Sequence, residues 1–261
     1  MNIASIILNF RRPQNIPRIV SSLAAGLPGR PVFLLDQAET PSLRFDDEMP
    51  WQDVWYRKPA KNGRAGARIA LAAEMPFDFY LAIDDDMFLS AEQISRLATK
   101  IAADSMHAHG ILGRRMERNG ASLTLGEPLV GQGRLSVIHS VYGFSRDQAL
   151  RVIQRSRQLG FAQWSDVKFG DDLLISSASD RPAMCHDLGA VRVCGSYFAD
   201  GVAVSKEGQF DNARRKLTQQ LLDIKALATF PLSRDEDLAL RPARDHVIVE
   251  QDHVSNRRKP S

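Results

Sequence analysis

Over residues 1–105, short apolar runs alternate with helical stretches, and that alternation leaves few folds open. Residues 3–9 (IASIILN) form a continuous apolar run ending in a polar residue. That is the pattern of a strand buried on both faces. Ile16, Ile19, Val20, Leu23 and Ala24 then recur at helical spacing, giving one apolar stripe that Gly26, Pro28 and Gly29 bring to an end. Residues 31–36 (PVFLLD) read as a second strand and 53–57 (DVWYR) as a shorter third. Residues 65–74 (AGARIALAAE) have helix-forming composition. Residues 79–83 (FYLAI) are the clearest strand, and they run straight into Asp84, Asp85 and Asp86. Ser90 with Gln93 predicts a capping box, followed by the apolar face Ile94, Leu97, Ala98 and Ile101. The expected fold is therefore α/β, with a mostly parallel central sheet flanked by helices. Such sheets bind ligands outside the carboxyl ends of their strands. Asn9, Asp36 and the three aspartates 84–86 all fall at expected carboxyl ends.

The second half is mixed. Residues 110–114 and 136–143 read as strands, and Ser145 with Gln148 predicts a second capping box opening a helix to about Arg157. Gly170, Asp171 and Asp172 precede the apolar run 173–175, a helix start. Residues 190–194 read as a short strand and 212–227 as a final helix. From about Ser233 the chain turns polar, which predicts a loosely ordered tail. The 34 Lys and Arg against 31 Asp and Glu leave a net charge of +3, too little for a dedicated nucleic-acid binder. The basic residues do cluster, as at Arg11-Arg12, Arg64/Arg68, Arg114-Arg115 and Arg214-Arg215-Lys216. The longest apolar run near the N-terminus is far shorter than the roughly 20 residues needed to span a bilayer. It has neither the basic flank nor the cleavage site of a signal peptide. Cys185 and Cys194 are too few for a disulfide scaffold, so free thiols and a cytoplasmic location are expected, with one bridge left open.

Three constellations carry chemistry. Asp84-Asp85-Asp86 sets three carboxylates side by side at a strand end. Their repulsion is relieved either by solvent, as in an acidic turn, or by a divalent cation. Mg²⁺ and Mn²⁺ take hard carboxylate oxygens together with substrate phosphates. Lys61-Asn62-Gly63-Arg64-Ala65-Gly66-Ala67-Arg68 gathers Arg64, Arg68 and Asn62 around a helix N-terminus, where anions are favoured. It matches neither the Walker loop nor the dinucleotide glycine fingerprint. Asp171 and Asp172 read either as simple helix caps or as a general base or acceptor-positioning acid. Among the histidines only His186, between Cys185 and Asp187, stands out as an extra metal ligand. No Ser-His-Asp order or nucleophile elbow is present. The loop around Gly126–Gly133 and the Trp164 region are candidate sugar-stacking surfaces, with Trp164 equally readable as core.

Four segments, taken in order, resemble a GT-A glycosyltransferase: Ile6-Ile7-Leu8-Asn9-Phe10-Arg11-Arg12-Pro13, residues 62–68, Ile83-Asp84-Asp85-Asp86, and Gly170-Asp171-Asp172-Leu173. The likeness covers roughly residues 3–225 and is nearest to exostosin-like transferases, with some similarity to the large inverting glycosyltransferase family. It implies one Rossmann-like GT-A domain over 1–230, with a nucleotide-binding half (1–105), an acceptor half (106–230) and a polar tail (231–261). By that resemblance Asn9 and Arg11 contact the nucleotide, and Asp36 lies near the base or ribose. Asn62 and Arg68 hold uridine and phosphate, with Arg64 beside them. Asp84 and Asp86 correspond to the DxD motif, with Asp85 between them and Asp86 the direct ligand of Mn²⁺ or Mg²⁺. Asp172, with Asp171 before it, is the acid near the reaction centre, the base toward the acceptor hydroxyl if the reaction inverts or the stabiliser of positive charge on the donor sugar if it retains, and Arg214 reaches the pyrophosphate. Asp171 stands where the family has Glu, Asp36 where it has Asn, and the usual C-terminal histidine ligand has no clear counterpart.

The expected activity is metal-dependent transfer of a sugar from a nucleotide diphosphate sugar, in the first instance a UDP-sugar, to a carbohydrate or glycoconjugate acceptor. Two alternatives stay open: a nucleotidyltransferase that makes the sugar nucleotide, and a non-catalytic nucleotide-binding relative. The absence of glycine from NFRRPQN counts against the first. Neither a nucleic-acid partner nor a transmembrane segment is expected. Arg257-Arg258-Lys259 leaves open a peripheral place on the inner face of a membrane.

Overall fold

The computed structural model describes residues 1–38, 43, 51–58, 63–119, 122–162, 166–198, 207–224 and 239–250. The first half follows the expected alternation. Strand β1 (Ile3–Asn9) leads to helix α1 (Ile16–Gly26), then β2 (Val32–Asp36), β3 (Val54–Arg57), α2 (Gly66–Glu74), β4 (Phe79–Asp84), a two-residue β5 (Met87–Phe88) and α3 (Ala91–Ala103). β3, β2, β1 and β4 lie side by side and parallel. Their register aligns the carboxyl ends, with Asn9 opposite Asp36 and Leu8 opposite Asp84. Successive strand residues point to opposite faces. Ile3 and Ile7 therefore pack with α1 and α3, while Ala4 and Ile6 pack on the other face with α2. Each fully buried Ile or Leu of these layers contributes about 1.5–3 kcal/mol of apolar burial.

The second half extends this sheet. β6 (His109–Gly110) is followed by the long hairpin β7 (Gly113–Asn119) and β8 (Ser122–Gly131), then β9 (Gly133–Leu135), β10 (Val137–Ile138) and β11 (Val141–Ser145). Next come α4 (Arg146–Gln158), α5 (Asp171–Ala178), β12 (Ala183–Cys185), β13 (Val191–Cys194) and α6 (Phe210–Asp223). β11 pairs antiparallel to β4, and the central sheet runs β3-β2-β1-β4-β11-β6-β12-β9. Both capping boxes form as expected, at Ser90/Gln93 and Ser145/Gln148. Cys185 and Cys194 are buried free thiols. Among the described residues no helix is long and apolar enough to cross a membrane.

Four expectations are corrected. The strand expected at 110–114 is broken into β6 and β7, and 136–143 is broken at Ser140, whose φ of 64° interrupts the extended backbone. The stretch around Gly126–Gly133 belongs to strands β8 and β9 rather than a loop. Residues 239–250, assigned above to a loosely ordered tail, form β14 (Leu240–Pro242) and β15 (Val247–Glu250). β14 closes a four-stranded sheet ordered β10-β7-β8-β14, and β15 pairs with β13 in a three-stranded sheet with β5. β14 (LRP) gives no local sign and is stabilised by β8, remote in sequence, whereas β15 (VIVE) carries a β-branched run that the polar surroundings obscured. Trp164 and Asn62 lie outside the described residues.

The base of the hairpin is tight. A Cβ on Gly113 would collide with the carbonyl oxygen of Val137 and sit 3.1 Å from the Cα of Ile138. Neither atom can move without shifting backbone. Gly113→Ala is therefore expected to lower stability by about 1–3 kcal/mol in urea unfolding. An unchanged midpoint would mean that the hairpin base yields.

Candidate active site

The turn after β4 is fixed from three sides. The Asp84 N–H donates to the Ser140 carbonyl at 2.9 Å, and the Cys194 N–H donates to the Asp86 carbonyl at 3.0 Å. The Asn15 side-chain amide donates to the Asp85 carbonyl at 2.8 Å. The three carboxylates are thereby sent to different places. Asp85 turns toward the loop after β1. Its Oδ2 accepts the backbone N–H groups of Phe10, Arg11 and Arg12 at 2.9, 3.1 and 3.3 Å, and its Oδ1 accepts Arg12 Nη1 at 3.1 Å. Asp85 thus holds the loop that the resemblance assigns to the nucleotide.

Asp84 and Asp86 are held less completely. The Asp84 side chain is 33% exposed, against 15% for Asp86 and 6% for Asp85, so Asp84 is the most open of the three. Asp84 pairs with Arg68. Asp86 Oδ2 lies 3.0 Å from Arg12 Nη1, while its Oδ1 is buried with no hydrogen-bond partner among the described residues. Burial raises the Asp86 pKa well above the usual carboxylate range, and repulsion from Asp84 and Asp85 raises it further. Burial also raises Asp84, against the pull of Arg68.

The second pair of acids opens α5. Gly170 takes φ 102° as the residue before the helix, a conformation that favours glycine. Asp171 and Asp172 occupy the first turn, where the helix dipole favours negative charge. Their surroundings differ. Asp171 Oδ2 accepts Arg68 Nη1 at 3.1 Å and the Tyr142 hydroxyl, and burial raises its pKa. Arg214 grips Asp172 with both amino groups, at 2.7 and 2.8 Å, and the Leu173 N–H adds a bond at 2.9 Å. Burial opposes the charge of Asp172, but Arg214 outweighs it and holds that carboxyl below its ordinary value. One buried guanidinium, Arg68, joins the two acidic groups by pairing with both Asp84 and Asp171.

These groups line one cleft of about 1010 Å³. Of the residues singled out from the sequence, Arg64, Arg68, Asp84, Asp85, Asp86, Asp171, Asp172 and Arg214 border it. Asn9, Arg11 and Asp36 do not border it. Asp36 is a sealed carboxylate that accepts the Asn9 amide at 2.8 Å and the Tyr56 hydroxyl at 2.7 Å, with Lys58 at 3.5 Å. The Tyr56 hydroxyl is pushed up to about 12 by burial and by Asp36. Arg11 reaches Glu207 at 3.1 Å. His186 stacks on His109 with ring centroids 5.2 Å apart and lies outside the cleft lining. Among the described residues no group of three or more His, Cys, Asp or Glu side chains could by itself hold a metal ion.

No protein-family model matches the sequence, and no curated protein does. Solved structures do match. S. aureus TarS 1-349 superposes with a TM-score of 0.50 at 13% identity, covering 73% of this chain and 59% of that one. TarS 1-349 in complex with UDP gives a TM-score of 0.50 at 14% identity over the same shares, 73% and 59%. The chain shares this fold. It spans less than two thirds of the TarS structures it matches. The expected α/β architecture with its mostly parallel, helix-flanked sheet holds. Nothing in the likeness favours exostosin-like enzymes in particular.

Arg12, Arg114, His139, Tyr142 and Tyr197 also border the cleft, and the sequence assigned them no role. Arg12 and Arg114 were visible only as members of basic pairs. Tyr142 sits in an apolar strand and reads as core. His139 gave only the weak signal of a lone histidine.

Proposed function

We propose that this chain is a glycosyltransferase that moves a sugar from a nucleotide diphosphate sugar, in the first instance a UDP-sugar, to a carbohydrate or glycoconjugate acceptor. The observation that carries the reading is the pair Asp84 and Asp86. They stand at the carboxyl end of β4, in a large cleft, with Asp86 Oδ1 buried and unpartnered. That oxygen and the raised pKa of both acids fit a divalent cation, Mn²⁺ or Mg²⁺. Two carboxylates supply hard oxygen donors, and a donor diphosphate supplies more, which suits ions of this kind. When bound, the cation would neutralise the diphosphate as it leaves. The UDP complex of TarS supports a uridine nucleotide as donor product.

The chain's own groups divide the remaining work. Asp85 fixes the loop after β1, so the donor side of the cleft is organised before any ligand arrives. Asp171 is the better proton acceptor of the second pair. Its Oδ1 has no hydrogen bond among the described residues and its pKa is raised. Raised carboxyl values bring a base nearer to working pH. Asp172, gripped by Arg214, stays ionised and suits stabilisation of positive charge on the donor sugar. An inverting reaction would use Asp171 to deprotonate the acceptor hydroxyl; a retaining one would depend on the charge of Asp172.

Thermal unfolding with UDP, GDP and other nucleoside diphosphates, each with and without Mn²⁺, tests the reading. A ligand bound only by the native state stabilises it by about 2.7 kcal/mol at one hundred times its dissociation constant. The expected result is a shift with UDP that requires the metal. Indifference to every nucleotide at millimolar concentration would remove the transferase reading.

A further inference from the structure

Three histidines gather where the end of α3 meets β6 and β12, outside the cleft lining. Two of them form a sealed pair. His109 and His186 are 3% and 6% exposed, and their ring planes differ by only 8°. His109 Nδ1 lies 3.0 Å from His186 Nε2. At that distance a single hydrogen lies between the two nitrogens. The other nitrogen of His109, Nε2, is 2.6 Å from the Asp104 carbonyl, which can only accept. His109 Nε2 therefore carries a hydrogen. With both rings neutral, His109 Nδ1 is bare and the His186 Nε2–H donates to it. His186 Nδ1 is then bare as well, and it is buried with no hydrogen-bond partner among the described residues.

One more proton breaks this arrangement. Placed on His186 Nδ1, it creates a buried donor with no acceptor. Placed on His109 Nδ1, it meets the His186 Nε2–H head-on. His186 escapes only by moving its own hydrogen to Nδ1, which gives the same unpaired donor. The surrounding charges offer little relief. Asp104 favours charge on His109, but Lys100 and His107 oppose it on both rings. Asp187, next in the chain to His186, is turned toward Arg241 at 3.0 Å and the Gly189 N–H at 3.2 Å. The Cys185 thiol is pushed up to about 12 by burial and stays protonated. On β9, Arg134 stands opposite Met184 rather than His186. Burial accordingly lowers the pKa of both rings, that of His186 to about 4 with the help of His109. His107 differs in kind. Its nitrogens face the Pro182 carbonyl at 2.5 Å and the Asp104 carboxylate at 3.6 Å, both acceptors, so a second hydrogen is accommodated there.

We propose that His109 and His186 form an acid-sensitive clasp, closed while both rings are neutral and opened by a single proton. It closes β12 on β6 and on the end of α3. The backbone of this junction is bonded through the Met184 N–H to the Ala108 carbonyl and the His186 N–H to the Gly110 carbonyl, both at 2.8 Å. β12 follows α5 by way of residues 179–182, so the clasp fixes the chain just beyond the helix that carries Asp171 and Asp172. It is independent of the transferase reading. An opened pair takes up protons at the ordinary histidine value of about 6.5, and the closed pair only at lower pH. The opened state therefore binds more protons, and the clasp is lost as pH falls from about 6.5 toward 4.

Amide hydrogen exchange of the full chain at pH 7 and pH 5, corrected for the intrinsic pH dependence of exchange, tests it. The amides of Met184 and His186 are expected to lose about ten-fold in protection between the two, while those of β1 change much less. His186→Gln should remove the dependence at Met184 and at position 186, because a carboxamide can donate to His109 Nδ1 or accept from it without taking up a proton. Unchanged protection in the unaltered protein, or an equal loss in His186→Gln, overturns the proposal. Nitrogen NMR shifts of the imidazoles in the unaltered protein give a second reading that needs no variant. Both rings are expected as the neutral Nε2–H tautomer at pH 7. An Nδ1–H tautomer or a cationic ring at either position overturns the proposal as well.

Discussion

Replacing Arg68 by methionine is expected to lower stability by about 3–5 kcal/mol at pH 8, among the largest effects of any single change in this cleft. The Arg68 side chain is only 3% exposed. It joins Asp84, Asp171, the Tyr142 hydroxyl at 3.4 Å and the Ile83 carbonyl at 3.5 Å. Methionine fills the space of the stem but leaves the buried Asp171 and the partly open Asp84 near each other with no cation between them. Both already have raised pKa values with Arg68 present. Without it they rise further, so the folded variant binds more protons than the unfolded chain. Its stability must then fall as pH rises above the ordinary carboxylate value of about 4. The deficit against the unaltered protein should be largest at pH 8 and shrink toward pH 5. Adding Asp171→Asn to Arg68→Met should recover part of the loss. Urea unfolding at the two pH values decides it: a loss below about 1 kcal/mol at pH 8 would show that Arg68 does not compensate these acids.

That pairing also marks what the sequence could and could not reveal. Arg68 and Asp171 are 103 residues apart, and no local pattern signals their contact. The basic run around Arg64 and Arg68 reads naturally as a phosphate cradle, yet Arg68 is committed to two carboxylates of its own chain. The inner strands were legible because burial on both faces leaves an unbroken apolar run, as in β1, β2 and β4. The capping boxes were legible because they are closed within four residues. The β7–β8 hairpin was not. β7 (GRRMERN) is mostly charged, and among the described hydrophobic side chains of the hairpin only Met116 and Val130 are buried. β14 was hidden for a related reason, since it adds three residues (LRP) to a sheet built elsewhere; β15 (VIVE) carried a β-branched signal that the polar residues on either side masked. Asp36 and Asp85 looked like ligand groups from their position at strand ends. The structure gives both to internal hydrogen bonds, because a sealed carboxylate must find donors nearby. Asp84 and Asp86 differ from them: one is partly open and the other has an unpartnered oxygen. Position at a strand end does not by itself rank three adjacent aspartates, whereas their surroundings separate them.

The same ranking makes Asp86→Asn the sharpest test of the proposed chemistry. Turnover is expected to fall by about 10³-fold, roughly 4 kcal/mol of transition-state stabilisation. Folding should not suffer. Asp86 is raised well above the usual range by burial and by Asp84 and Asp85. In the metal-free protein the folded state therefore binds more protons than the unfolded state, and stability drops as pH climbs above about 4. Asparagine removes that repulsion, and Arg12 keeps Asp85 as its partner at 3.1 Å. The variant should be at least as stable as the unaltered protein at pH 7.5, with the difference closing toward pH 4. Mn²⁺ should reverse the order. It is expected to raise the unfolding temperature of the unaltered protein when UDP is present and to leave Asp86→Asn where it was. A destabilised variant with full activity would mean that Asp86 serves the fold through Arg12 and that the cation, if any, is held elsewhere. A stable variant that is inactive and deaf to Mn²⁺ would tie the repulsion stored at the end of β4 to the ligand it is built to receive.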